Sequence, residues 1–136
     1  MQSRKENNGY WLVLSKGEEV KSAIEGWAAR EGVAGAQVWG IGALTDVELA
    51  YYNPEKNQWT KKKFSGYYEL LGFSGNINED GLHAHAIIGD SAFNVSGGHF
   101  LGGTISALGE FFIVPTNPLR KNPLPGTQLK KTELNR

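Results

Sequence analysis

The sequence predicts an α+β fold, with one main N-terminal helix against an antiparallel β-sheet of roughly seven or eight strands. Three observations carry that reading. Only one stretch, Val20, Ala23, Ile24, Trp27 and Ala28, repeats apolar residues at helical spacing over several turns. From Ala36 onward the apolar and aromatic runs are short and broken by Gly, Asn, Asp and Pro. The breaks are too brief for crossover helices, so neighbouring strands must pair antiparallel.

Residues 10–14 (YWLVL) read as a first strand. Ser15-Lys16-Gly17-Glu18 has the form of a capping box, with Ser15 as N-cap and Glu18 reaching back, so the helix is expected to begin there. Glu19, Lys21, Glu25 and Arg30 lie off its apolar stripe, and Gly32 and Gly35 terminate it. Strands are then expected over 36–41, 47–52, 58–64, 67–77, 82–88, 92–95 and 104–114. The turn residues of 53–57 and 89–91 fit hairpin loops. Pro115, Pro118, Pro123 and Pro125 follow the last strand and close the fold. One folded domain over 10–114 and a Pro-containing basic tail over 115–136 are therefore expected.

Composition bounds the function. A chain of 136 residues is the size of one domain, and 40% hydrophobic with 21% charged residues is a globular rather than a disordered composition. The absence of cysteine excludes disulfides, thiolate metal ligands and a cysteine nucleophile. No apolar run is long enough for a bilayer-spanning helix, and MQSRKENNGY lacks the apolar stretch of a signal peptide, so the cytoplasm is the default. Net charge is zero but unevenly placed: Arg120, Lys121, Lys130, Lys131 and Arg136 against Glu133 make the tail +4 and leave the body −4. Such a body is a poor duplex-DNA surface, because non-specific affinity comes from neutralising phosphates. The tail reads as a solvated, partly mobile end. Lys61, Lys62 and Lys63 read as a solvated strand edge that discourages edge-to-edge pairing.

All three histidines fall between positions 83 and 99. In His83-Ala84-His85 the i, i+2 spacing of a strand sends both imidazoles to one face, at a separation suited to sharing an ion. If the next hairpin centres on Asp90, Ser96-Gly97-Gly98-His99 brings the third imidazole back near His83, with a bulge at Gly97-Gly98 rotating it onto the same face. Three histidines without cysteine match the catalytic type of zinc site, with a fourth position open to water or a small ligand. Cobalt, nickel or iron also accept three imidazoles. The competing reading is three packed, hydrogen-bonded histidines. Glu69 and Glu110 stand out because each interrupts an apolar strand. They are candidates for a general acid/base beside metal-bound water, or for a structural ion pair or subunit contact. Nine glycines between positions 72 and 109 read as bulges and close approaches, since no phosphate-loop or dinucleotide motif occurs. Neither Ser74 nor Ser96 sits in G-x-S-x-G.

Four ordered motifs, Gly40-Ile41-Gly42-Ala43-Leu44, the run from Glu69 to Ile77 (ELLGFSGNI), His83-Ala84-His85 and Gly97-Gly98-His99-Phe100, resemble the PPC domain, named for plants and prokaryotes. The resemblance runs from about Tyr10 to Val114. It implies a homotrimer of α+β subunits, with His83, His85 and His99 as metal ligands. The AT-hook core R-G-R-P that precedes the plant domain is missing, and the plant partner-binding segment G-R-F-E-I-L has Tyr67 in place of its arginine. The usual GGHL is GGHF here, which keeps His99. Three functions follow: a trimeric metal-binding module, DNA-associated or regulatory; a metal-dependent lyase or hydrolase acting on a small molecule, with Glu69 or Glu110 moving protons; or a structural trimer whose histidines pack. DNA binding is expected to be weak and to run through the tail.

Overall fold

In the computed structural model, which describes residues 1–134, the elements follow in the order β1 (Gln2–Glu6), β2 (Gly9–Ser15), α1 (Val20–Glu31), β3 (Ala36–Asn53), β4 (Gln58–Asn78), β5 (Gly81–Gly89), β6 (Val95–Pro115), β7 (Arg120–Pro123) and β8 (Lys130–Glu133). One helix and eight strands are what the sequence predicts. Six strands form one sheet in the order β1-β2-β6-β3-β4-β5, and β5 also pairs β6. Strands β3, β4, β5 and β6 therefore close into a ring, with β2 and β1 continuing from β6. Every strand pairing is antiparallel. No helix among the described residues is long and apolar enough to cross a membrane.

Apolar residues of alternate strand positions turn inward, and Phe73 packs edge-on against Phe100 at 5.2 Å and Phe111 at 5.3 Å. The helix adds Val20, Ile24, Trp27 and Ala28 to this core, as its apolar stripe predicts. Its start differs from expectation. Ser15 N–H does donate to Glu18 Oε2 at 2.7 Å, but the helix begins at Val20 with Glu19 as N-cap. Gly17 sits at φ 90°, outside helical space, and its N–H donates to the Ile105 carbonyl at 2.8 Å, so this segment is stitched to β6 before it can coil. Glu19 accepts hydrogen bonds from Lys21 N–H, Ser22 N–H, the Ser22 hydroxyl and Gly103 N–H. Burial pushes its carboxyl up, yet those hydrogen bonds outweigh it and hold the pKa below the usual range. Gly32 ends the helix in the left-handed conformation, with its N–H returned to the last carbonyls.

The strands are longer than the turn-prone residues suggest. Segments 36–41 and 47–52 are one strand, β3, whose register slips between Gly40 and Gly42 and again between Thr45 and Val47, where Asp46 has φ 52°. Segments 58–64 and 67–77 likewise join through Gly66, and β6 runs unbroken through the glycines that precede residue 104. Glycine and Asp46 mark bulges that bend these strands into a ring rather than ends that cut them. Residues 92–94 belong to the β5–β6 loop instead of a strand. Polar Gln2–Glu6 forms the edge strand β1, which alternation alone does not reveal because the segment is exposed throughout except for half-buried Glu6. Gln58–Phe64 pairs only β3, so the lysine run is an exposed strand edge.

The tail, expected as a solvated end, is largely exposed but carries regular structure. β7 and β8 form their own two-stranded sheet. Pro123 closes β7, while Pro118 and Pro125 fall in the connections, so the prolines take little from its ladder. The hairpin is tied down by Lys121 N–H to Glu79 Oε1 (2.6 Å), Gln128 N–H to Asn57 Oδ1 (2.9 Å) and a 2.7 Å ion pair between Lys130 and Asp80. Of the tail's basic residues, Arg136 lies outside the described residues.

Candidate metal centre

Strand alternation turns Ala84, Ala86 and Ile88 of β5 into the core, which leaves His83, His85 and Ile87 on the outer face. Two contacts fix where β5 begins. Leu82 N–H donates to Glu25 Oε1 of α1 at 2.8 Å, and buried Asn78 organises the preceding turn by accepting Asp80 N–H at 2.9 Å. His83 then lies opposite Asn76 of β4, and His85 opposite Ser74.

His99 reaches the same face by a simpler route than a bulge. His85 pairs with His99 and Gly89 with Val95, so the hairpin centres on Ala92 rather than Asp90, and the register across Gly97-Gly98 is regular. Directly opposite residues share a face, so His99 needs no rotation. The glycines serve close approach instead: a Cβ on Gly98 would meet the Ala50 carbonyl oxygen at 2.8 Å, where β6 passes between β3 and β5. Ring centroids stand 5.0 Å apart for His83 and His99, 5.5 Å for His85 and His99 and 5.8 Å for His83 and His85. One ring nitrogen from each lies within 4.8 Å of the others. Three nitrogens at about 2.1 Å from one tetrahedral zinc ion stand about 3.4 Å apart, so side-chain rotations that draw the rings together by up to about 1.4 Å close the set.

The donors fit a metal chemically. Burial, followed by the charges of His83, His85 and Lys21, holds the His99 pKa at about 4. His83 is also pushed down, by burial first and then by Lys121. Both imidazoles are neutral at neutral pH, the form that ligates. His99 Nδ1 is buried with no hydrogen-bond partner among the described residues, an orphan nitrogen that an ion would satisfy. Its ring also packs against Trp59 of β4, 5.0 Å between centroids.

The depressed His99 pKa has a measurable consequence. Between pH 6.5 and about 4 the unfolded chain takes up a proton at this residue that the folded chain refuses. The stability of metal-free protein is therefore complete above pH 6.5 and falls as pH drops toward 4. His99→Gln is expected to flatten this part of the urea midpoint against pH profile; an unchanged slope would show the imidazole titrating freely.

Glu69 and Glu110 do not join the cluster. Both are exposed, and neither makes an ion pair among the described residues. Glu69 pairs with Gly89 at the other end of β5, and Glu110 sits between Val13 and Ile41, beside Trp11 and Trp39. Glu25, Trp59 and Lys121 are the neighbours that pattern reading passes over. Trp59 and Lys121 carried no local signal, because only the folded hairpin and the β3–β4 turn bring them to the histidines.

The family model of the Plants and Prokaryotes Conserved (PCC) domain matches residues 1–117. The chain belongs to this family. No curated protein matches it. Among solved structures, a candidate DNA-binding protein from Ralstonia eutropha JMP134 superposes with a TM-score of 0.88 at 27% identity, over 98% of this chain and 96% of that one. A plant- and prokaryote-conserved protein from Pyrococcus horikoshii gives 0.81 at 27% identity, over 99% and 96%. A metal-containing protein from Archaeoglobus fulgidus gives 0.84 at 25% identity, over 98% and 96%. The match to the PCC domain ends close to the last residue of β6, so the β7–β8 hairpin beside the histidines lies beyond it.

Proposed function

We propose that this PCC-domain chain is a homotrimeric metal-binding module whose His83, His85 and His99 hold zinc or another divalent transition metal, with a coordination position left for a small ligand. The convergence of three ring nitrogens within 4.8 Å carries the reading. The metal-containing archaeal relative supports it. A metal held by three neutral imidazoles supplies Lewis acidity and an acidic bound water. Elemental analysis of purified protein should find about one ion per subunit, the count for one three-histidine site. Metal-free protein that takes up no zinc, cobalt or nickel at neutral pH would sink the proposal.

The outer sheet face supports the trimer. Trp11, Trp39, Ile41 and Ile87 stand on it largely uncovered, with Glu110 among them. Phe93, 92% exposed at φ 62°, projects from the β5–β6 loop. Asp90 stiffens that loop by accepting Ala92 N–H and Asn94 N–H, each at 2.9 Å. A rigid apolar knob at one site and an apolar face at another are the unlike halves of a contact that closes into a ring. Turnover as a lyase or hydrolase is the second reading. Because Glu69 and Glu110 stand apart from the histidines of their own subunit, a neighbouring subunit has to bring one of them to the metal.

DNA association is the weaker partner reading, although relatives such as the Ralstonia protein are described as DNA-binding candidates. The tail's positive charge is partly spent, since Lys130 pairs with Asp80. Duplex binding at physiological salt is expected to be weaker than micromolar and to tighten as salt is lowered. Titration of the full chain against a version ending at Val114 checks this. Sub-micromolar binding by the shortened body would mean that its surface is misjudged.

A further inference from the structure

A cleft of about 210 Å3 lies between the histidines and the C-terminal hairpin. Trp59, Leu82, His83 and His99 line it from the sheet, and Lys121 and Leu129 from the hairpin. Among the described residues three charged side chains border it, and they are not equivalent. Asp80 and Lys130 form their 2.7 Å ion pair and cancel. The Lys121 ammonium has no carboxylate within ion-pair distance among the described residues. Among the described residues its Nζ donates only to the Thr132 hydroxyl, at 2.8 Å, and the Glu79 carboxylate, which accepts the Lys121 backbone N–H, does not line the cleft. The cleft thus presents one uncompensated cation on a half-buried side chain, beside apolar walls.

Size and charge select the occupant. A ligand of a few carbons fits a cleft of about 210 Å3. One ammonium matches a singly charged anion. Among the described residues no arginine borders the cleft, so they offer no forked donor pair of the kind that suits phosphate.

We propose that this cleft binds a small monocarboxylate, its anionic group held by Lys121 and turned toward the histidine centre, its apolar body against Trp59, Leu82 and Leu129. The inference deepens the small-ligand part of the metal-module reading, yet the Lys121 contact stands without the metal. Lys121 lies outside the matched family segment and belongs to a hairpin whose prolines mark it, in sequence, as a mere tail.

The test uses the full chain, metal-free and zinc-loaded, titrated with propionate and with its neutral counterpart propionamide. The indole N–H signal of Trp59, assigned by its loss in Trp59→Phe, reports occupancy by NMR. Propionate is expected to shift that signal saturably and propionamide to leave it in place. Lys121→Met should weaken propionate binding about tenfold, the order expected for one lost charge-assisted hydrogen bond, and Lys121→Arg should retain most of it. Equal binding of the amide, unchanged propionate affinity in Lys121→Met, or no response to either probe would overturn the inference. The amide comparison needs no variant, so it decides the charge requirement even if Lys121→Met loosens the hairpin. Should zinc fail to bind while the Lys121-dependent response to propionate persists, the metal centre falls and the carboxylate cleft stands.

Discussion

His85→Ala is expected to abolish zinc uptake at neutral pH while leaving the fold and the stability of the metal-free protein near wild type. His85 is the exposed member of the triad, so its truncation opens no cavity and removes no core contact. Exposed substitutions of this kind usually change stability by less than about 0.5 kcal/mol. His83 and His99 are poorer subjects, because both are half buried and His99 also packs against Trp59, so their loss mixes ligation with packing. Losing one of three protein donors should exceed the ~10–100-fold cost of losing a group that merely supports a ligand. Equilibrium dialysis against zinc, with circular dichroism on the same samples, measures both halves. Full zinc occupancy in His85→Ala would mean that His85 is no ligand and that the three-histidine site is wrong.

The histidine face was legible from the chain because strand period is a local rule. His83 and His85 share a face whatever the rest of the protein does. His99 was harder, since its position depends on where a hairpin turns. A two-residue shift of that centre, from Asp90 to Ala92, changes the residue opposite His99 from Gly81 to His85, four positions along β5. The face survives the error because the shift changes register by an even number. Helix α1 was legible for a similar reason, its stripe being a local period. Its start was not, because the Ile105 carbonyl that captures Gly17 N–H comes from β6, far along the chain.

What stayed hidden depends on contacts between distant segments. Asp46 and the strand glycines read as breaks, whereas neighbouring strands on both sides carry β3 through its bulges. The tail prolines read as the end of structure, yet the hairpin between them is secured by Glu79, Asp80 and Asn57 from two separate turns. That hairpin supplies Lys121, and with it the charge of the cleft. Glu69 and Glu110 were conspicuous as carboxylates among apolar neighbours, but both are exposed, on parts of the outer sheet face away from the histidines.

Trp39→Asp and, separately, Phe93→Ser are expected to convert a trimer into single chains. Light scattering of the wild type should give about three times the 14.9 kDa chain mass, and each variant close to one. The reasoning starts from exposure. Trp39 and Ile41 are 46% and 55% exposed, and Trp11 packs tilted against Phe112 at 5.1 Å beside them, so the uncovered apolar side chains adjoin one another rather than lie scattered. Fully burying one such side chain contributes about 1.5–3 kcal/mol, and a ring of three subunits repeats each contact three times. An aspartate at position 39 replaces that gain with a carboxylate to be desolvated, which costs several kcal/mol unless a partner charge meets it. Phe93→Ser removes the opposite half of the contact without touching the sheet, and Asp90 still holds the loop backbone. Both residues point away from the core, so the separated chains should keep their circular dichroism. Wild-type protein that scatters as a monomer at tens of micromolar would refute the trimer outright. Variants that stay trimeric would move the interface elsewhere on the molecule, leaving the apolar face and the Phe93 knob without the roles assigned to them.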